Sequence, residues 1–157
     1  MKLITLNLWG GIVYEPQMEF IKKHSVDTDI FCFQEMVFGE NPKFTPDLKA
    51  RENLFNEIKQ RLPDFTAFQY ISPSDKFERE QINFKAGQAI FVRNSIIVKD
   101  NGNFRCYDKS FFEKNSGAGK LTGSLQWVDV VQNDETITIA SLHGLWQKDT
   151  SKRVLKF

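Results

Sequence analysis

Three polar residues stand directly against apolar runs: Asn7 after Leu3-Ile4-Thr5-Leu6, Glu35 after Ile30-Phe31-Cys32-Phe33-Gln34, and His143 after Ile139-Ala140-Ser141-Leu142. A carboxylate that follows a buried strand loses hydration, and a hard divalent cation is one group that compensates the loss; magnesium in particular takes few protein oxygens. An asparagine beside that carboxylate would orient it or meet a phosphate, and a histidine could donate to a phosphoryl oxygen or protonate a leaving group. Each residue also has a plainer use. Asn7 precedes Gly10-Gly11 closely enough to be turn chemistry, Glu35 could make a rim salt bridge, and a single histidine is often a hydrogen-bonded structural residue. What groups them is position: the C-terminal ends of strands, where side chains are held rigidly and loops converge.

The elements that would hold them follow from pattern. Leu3 to Leu8 reads as a strand closed by Trp9-Gly10-Gly11. Tyr14, Met18, Ile21 and Ser25 fall at helical spacing, with Pro16 in the first turn and Lys22-Lys23-His24 where a helix dipole favours positive charge. Asp29 to Gln34 is short and apolar, as for a central strand buried on both faces, so strand, helix and strand make a crossover unit. Thr45-Pro46-Asp47 predicts the cap of a second helix whose stripe is Leu48, Leu54, Phe55, Ile58 and Leu62, stopped by Pro63. Phe65 to Ile71 predicts a strand, Ser72 to Ala86 a polar loop, and Gly87 to Arg93 another buried strand. Ser95 to Asp108 predicts a strand or hairpin turning at Asn101-Gly102-Asn103, and Leu121–Gln132 with Thr136–Leu142 a hairpin through Asn133-Asp134-Glu135. Asp149-Thr150-Ser151 is a further cap signal, followed by about two helical turns to Phe157.

Composition bounds the rest. A chain of 157 residues, 41% hydrophobic and 26% charged, is one globular domain over 1–157 and neither disordered nor fibrous. Its net charge of +1 gives no global field toward nucleic acid or membrane. No apolar run approaches the roughly 20 residues of a membrane span, so no membrane insertion is expected. Two cysteines are too few for a disulfide framework, and Cys32 within Ile30–Phe33 reads as a buried thiol in a reducing, cytoplasmic setting. The 15 phenylalanines are scattered, as for core packing. Ser116-Gly117-Ala118-Gly119-Lys120 lacks the first glycine of a phosphate loop, in the 76–85 stretch Glu78 and Glu80 cancel Lys76, Arg79 and Lys85, and His24 reads as a surface residue.

In order, Leu3-Ile4-Thr5-Leu6-Asn7-Leu8-Trp9, Asp29-Ile30-Phe31-Cys32-Phe33-Gln34-Glu35, Gly87-Gln88-Ala89-Ile90-Phe91-Val92 and Ile139-Ala140-Ser141-Leu142-His143 resemble the N-terminal blocks of the endonuclease/exonuclease/phosphatase superfamily. The resemblance implies an α+β fold: the N-terminal portion of a four-layer αββα sandwich, with a mixed β-sheet, two helices and an incomplete second sheet. It also implies magnesium-dependent, or manganese-dependent, hydrolysis of a phosphate ester. Glu35 would be the metal ligand, Asn7 its partner near metal and phosphate, and His143 the histidine that meets the phosphate or leaving group. The family's Asp-x-Asn and terminal Ser-Asp-His have no counterpart here: no Asp is followed two places on by Asn, Ser74-Asp75 runs into Lys76, and the histidines are His24 and His143. The expectation is therefore a C-terminally truncated domain. Its readings are the first part of a phosphoesterase such as a nuclease, phosphodiesterase or phosphatase, a catalytically inert homologue or binding module, or one half completed by another chain. Exposed sheet edges would then favour self-association or a partner.

Overall fold

The structure, a computed structural model, describes residues 1–41, 43–46, 50–71, 85–106 and 123–144. Strand β1 (Leu3–Asn7) leads through a single turn at Trp9–Gly11 to helix α1 (Tyr14–His24) and then to β2 (Ile30–Phe38). Strands β3 (Phe44–Thr45) and β4 (Ala50–Arg51) form a small ribbon before α2 (Leu54–Arg61), and β5 (Phe65–Ile71) follows. Then come β6 (Lys85–Arg93), β7 (Val98–Arg105), β8 (Ser124–Gln132) and β9 (Glu135–His143).

The first sheet has the order β1-β2-β6-β5 and is mixed, with β1 parallel to β2 and the other pairs antiparallel. The second is an antiparallel meander, β7-β8-β9. Strand alternation splits the core in two. Phe31, Phe33 and Phe91 face α1 and α2, where Met18, Ile21, Leu54, Phe55 and Ile58 cover them. Ile30, Cys32, Ile90 and Val92 point the other way onto Val128 and Val130 of β8. The result is helices on sheet on sheet, the α+β layering expected, with β2 buried on both faces.

Three local expectations are corrected. Helix α2 begins at Leu54 and not after Thr45-Pro46-Asp47. Buried Glu52 accepts hydrogen bonds from the Thr45 hydroxyl and the Asn41 amide, and Lys43 pairs with it, so this stretch is drawn into the β3–β4 ribbon. Asn101-Gly102-Asn103 lies inside β7 and makes no turn. Gly102 is there because the Trp127 ring lies over it: a Cβ would stand 2.7 Å from Cζ2. Finally, β2 does not stop at Gln34 but runs through Glu35 to Phe38. The β8–β9 hairpin is as expected, with Asn133 and Asp134 both at positive φ. The possible phosphate loop at 116–120 and the terminal helix after Asp149 lie outside the described residues, as does all but Lys85 of the 76–85 stretch.

Candidate functional site

Glu35 continues β2 only because the strand bulges there. Gln34 pairs with Gln88 and Met36 with Gly87, so Glu35 is the extra residue between two ladder positions. Its φ is 52°, a left-handed value that costs a residue with a Cβ about 1 kcal/mol or more. The bulge turns its side chain out of the alternating pattern while the strand on either side stays buried. Gly87 makes the opposite side possible, since a Cβ there would fall 1.9 Å from the Tyr70 carbonyl oxygen on β5.

Asn7 is the last residue of β1, and the Leu8 N–H donates to the Gln34 carbonyl at 2.9 Å, which fixes the end of β1 beside the bulge. From there the Asn7 amide nitrogen donates to Glu35 Oε1 at 2.9 Å, and its amide oxygen accepts the Trp9 N–H at 2.8 Å. Trp9, Gly10 and Gly11 all have positive φ, so the turn signal in the sequence is realised as a tight reversal pinned by Asn7.

His143 closes β9 on the second sheet, paired with Ser124 of β8. Its Nε2 lies 3.4 Å from Glu35 Oε1. The three residues singled out in the sequence thus meet at one carboxylate oxygen, although they come from three strands and two sheets. Asn7 and His143 are strand ends as expected; Glu35 is not, and the bulge is the reason.

The hydrogen bond with His143, then that from Asn7, holds the Glu35 carboxyl below its usual range against the opposing effect of partial burial. The group is therefore an anion at neutral pH, with its side chain 27% exposed. Both contacts fall on Oε1; among the described residues Oε2 carries no hydrogen bond or ion pair. The same residues contain no cluster of three or more His, Cys, Asp or Glu able to cage a metal. One ionised carboxylate is a hard oxygen donor, of the kind that holds a divalent cation together with waters.

Beneath this trio the packing between the sheets changes from aliphatic to polar. Gln34 Nε2 donates to Ser141 Oγ at 2.8 Å and to Thr5 Oγ1 at 3.1 Å. Ser141 donates to Gln88 Oε1 at 3.3 Å, and Gln88 Nε2 donates to Ser124 Oγ at 2.7 Å and to the Ser124 carbonyl at 3.0 Å. Gln34, Gln88, Ser124 and Ser141 are all buried. Sequence reasoning missed them. The available signal was a polar residue of amide or hydroxyl type at inward positions of otherwise apolar strands.

No protein-family model and no curated protein matches the sequence. Solved structures do. An endonuclease/exonuclease/phosphatase family protein from Leptotrichia buccalis C-1013-b aligns with a TM-score of 0.59 at 17% identity, over 92% of this chain and 55% of its own. An endonuclease/exonuclease/phosphatase from Beutenbergia cavernae DSM 12333 aligns with a TM-score of 0.59 at 14% identity, over 88% of this chain and 36% of its own. The chain thus has the endonuclease/exonuclease/phosphatase fold, and it spans about half or less of the length of these two structures.

Proposed function

We propose that a chain of this fold, with Asn7, Glu35 and His143 converging at the top of its two sheets, carries the metal-holding part of a phosphoric ester hydrolase. The observation that supports it most is the pair of contacts on Glu35 Oε1, from the Asn7 amide at 2.9 Å and His143 Nε2 at 3.4 Å. They hold an ionised carboxylate in one orientation, with no contact on its second oxygen among the described residues. Glu35 would hold a magnesium or manganese ion. When bound, such an ion supplies charge neutralisation at a phosphoryl group.

The chain's own residues then have separate parts. Asn7 orients Glu35, since its amide oxygen is already used by the Trp9 N–H. His143, on the facing sheet, would donate a hydrogen bond to a phosphate oxygen or a proton to a leaving oxygen on exchanging its contact with Glu35. Below them the buried side chains of Gln34, Gln88, Ser124 and Ser141 hydrogen-bond one another across the two sheets. In the family that the sequence resembles, Asp-x-Asn positions the attacking water and the histidine of Ser-Asp-His serves the phosphate chemistry; neither motif occurs in this sequence, and the residues named here do not take those two parts.

The test compares this chain with Glu35→Ala in manganese binding, followed by the paramagnetic signal of the free ion, and in hydrolysis of an activated phosphodiester with and without magnesium. Expected is manganese binding that is lost in the variant, with any magnesium-dependent turnover of the parent lost as well. Binding without turnover would favour a metal-binding module, and absence of both in the unsubstituted chain would sink the proposal.

A further inference from the structure

The two partners in the candidate site stand on different sheets, Glu35 on β2 and His143 on β9. Sheets stacked through aliphatic contacts alone are held without directional preference, so a small slide changes a 3.4 Å contact at little cost. Hydrogen bonds have direction and reach. One position before Glu35, Gln34 donates across the gap to Ser141, which lies two positions before His143 on the same face of β9. This bond is buried and short, at 2.8 Å, and lies beside the Glu35–His143 contact. Each end is anchored in turn: Gln34 to Thr5 on β1, Ser141 to Gln88 on β6. A serine accepting from one amide and donating to another has its rotamer fixed from two strands of the opposite sheet.

We propose that Gln34 and Ser141 are positioning residues, a cross-sheet clamp that sets the register of β9 against β2 and so brings His143 to Glu35. What the aligned pair does rests on the phosphoesterase reading; that it is aligned by this clamp does not. The rival role for such a bond is general stabilisation of the sandwich, and the two differ in what they couple.

A double-mutant cycle in the full chain separates them. Glu35→Gln and His143→Ala, alone and together, give the coupling of the two side chains from the unfolding equilibrium, and the cycle is repeated in Ser141→Ala and in Thr5→Val. Expected is a coupling of about threefold in the unfolding constant in the parent, as for two partly exposed polar side chains in contact. It should fall sharply in Ser141→Ala, although the Gln88–Ser124 bonds still tie the sheets, and fall less in Thr5→Val, which removes a bond that anchors Gln34 within its own sheet. Coupling undiminished in Ser141→Ala, or absent in the parent, overturns the clamp. If Ser141→Ala does not fold, Ser141→Cys, a poor acceptor of nearly the same volume, replaces it with the same expectation. Manganese titration of the parent and variants keeps the two proposals apart: coupling lost in Ser141→Ala with no manganese bound by any form supports the clamp and removes the phosphoesterase reading.

Discussion

A glutamate at positive φ carries a strain that a glycine would not, and Glu35 stands at 52° inside a strand. Glu35→Ala and Glu35→Gly both delete the carboxylate, yet only the alanine keeps a Cβ in that conformation. The glycine variant should be the more stable of the two by about 1 kcal/mol in chemical denaturation; equal stability would mean that the bulge relaxes once the carboxylate is gone. The depressed carboxyl also fixes a pH dependence. Its folded value lies below the unfolded one, so its contribution is complete above the ordinary glutamate range and is lost as pH falls through the folded value. Thermal unfolding of Glu35→Gln should therefore show a shallower acid limb than the parent, and parallel limbs would contradict this. At this scale the sequence exposed Asn7, Glu35 and His143 because each interrupts an apolar run. Gln34, Gln88, Ser124 and Ser141 escaped notice because a lone polar residue at an inward position looks, without the facing sheet, like ordinary outward alternation.

The elements divide by how local their causes are. Strands β1, β5 and β6, helix α1 and the β8–β9 hairpin were legible because hydrophobic period, a proline in the first turn or an Asn-Asp pair decides each within its own residues. The start of α2 was not, since Thr45 was claimed by Glu52 through a tertiary contact that no helix-cap rule contains. Gly102 misled for a related reason: glycine signals either a turn or a close approach, and here the approaching group is Trp127 from the neighbouring strand. Gly87 is the same device in the site-bearing sheet, opposite the bulge of β2. Gly87→Ala should cost about 1–3 kcal/mol in denaturant unfolding, as β5 must retreat from a Cβ at the Tyr70 carbonyl. A change within 0.5 kcal/mol, roughly the scatter of surface substitutions, would show that the strands part there without loss.

Across the whole molecule, the two sheets are covered unequally. Helices close one face of the first sheet, but on the outer face of the second an apolar row runs through Phe104, Leu125 and Leu142 on three adjacent strands. Phe104 is 53% and Leu142 42% exposed. Together with the edges of β1 and β9, such a row invites pairing of chains. Light scattering after size exclusion should give a mass above the monomer that falls in Phe104→Glu/Leu142→Lys, and a sharp monomer with a cooperative melt in the parent would count against it. Among the described residues no helix is long and apolar enough to cross a membrane. The separation of 107 residues between Gln34 and Ser141 also bears on biosynthesis. At roughly 5–20 residues per second, a ribosome needs roughly 5–20 s between delivering the first residue and the second. During that interval Ile30 and Cys32, later joined by Ile90 and Val92, have no hairpin to pack against, so the nascent polypeptide offers a greasy β-surface to any chaperone that binds one.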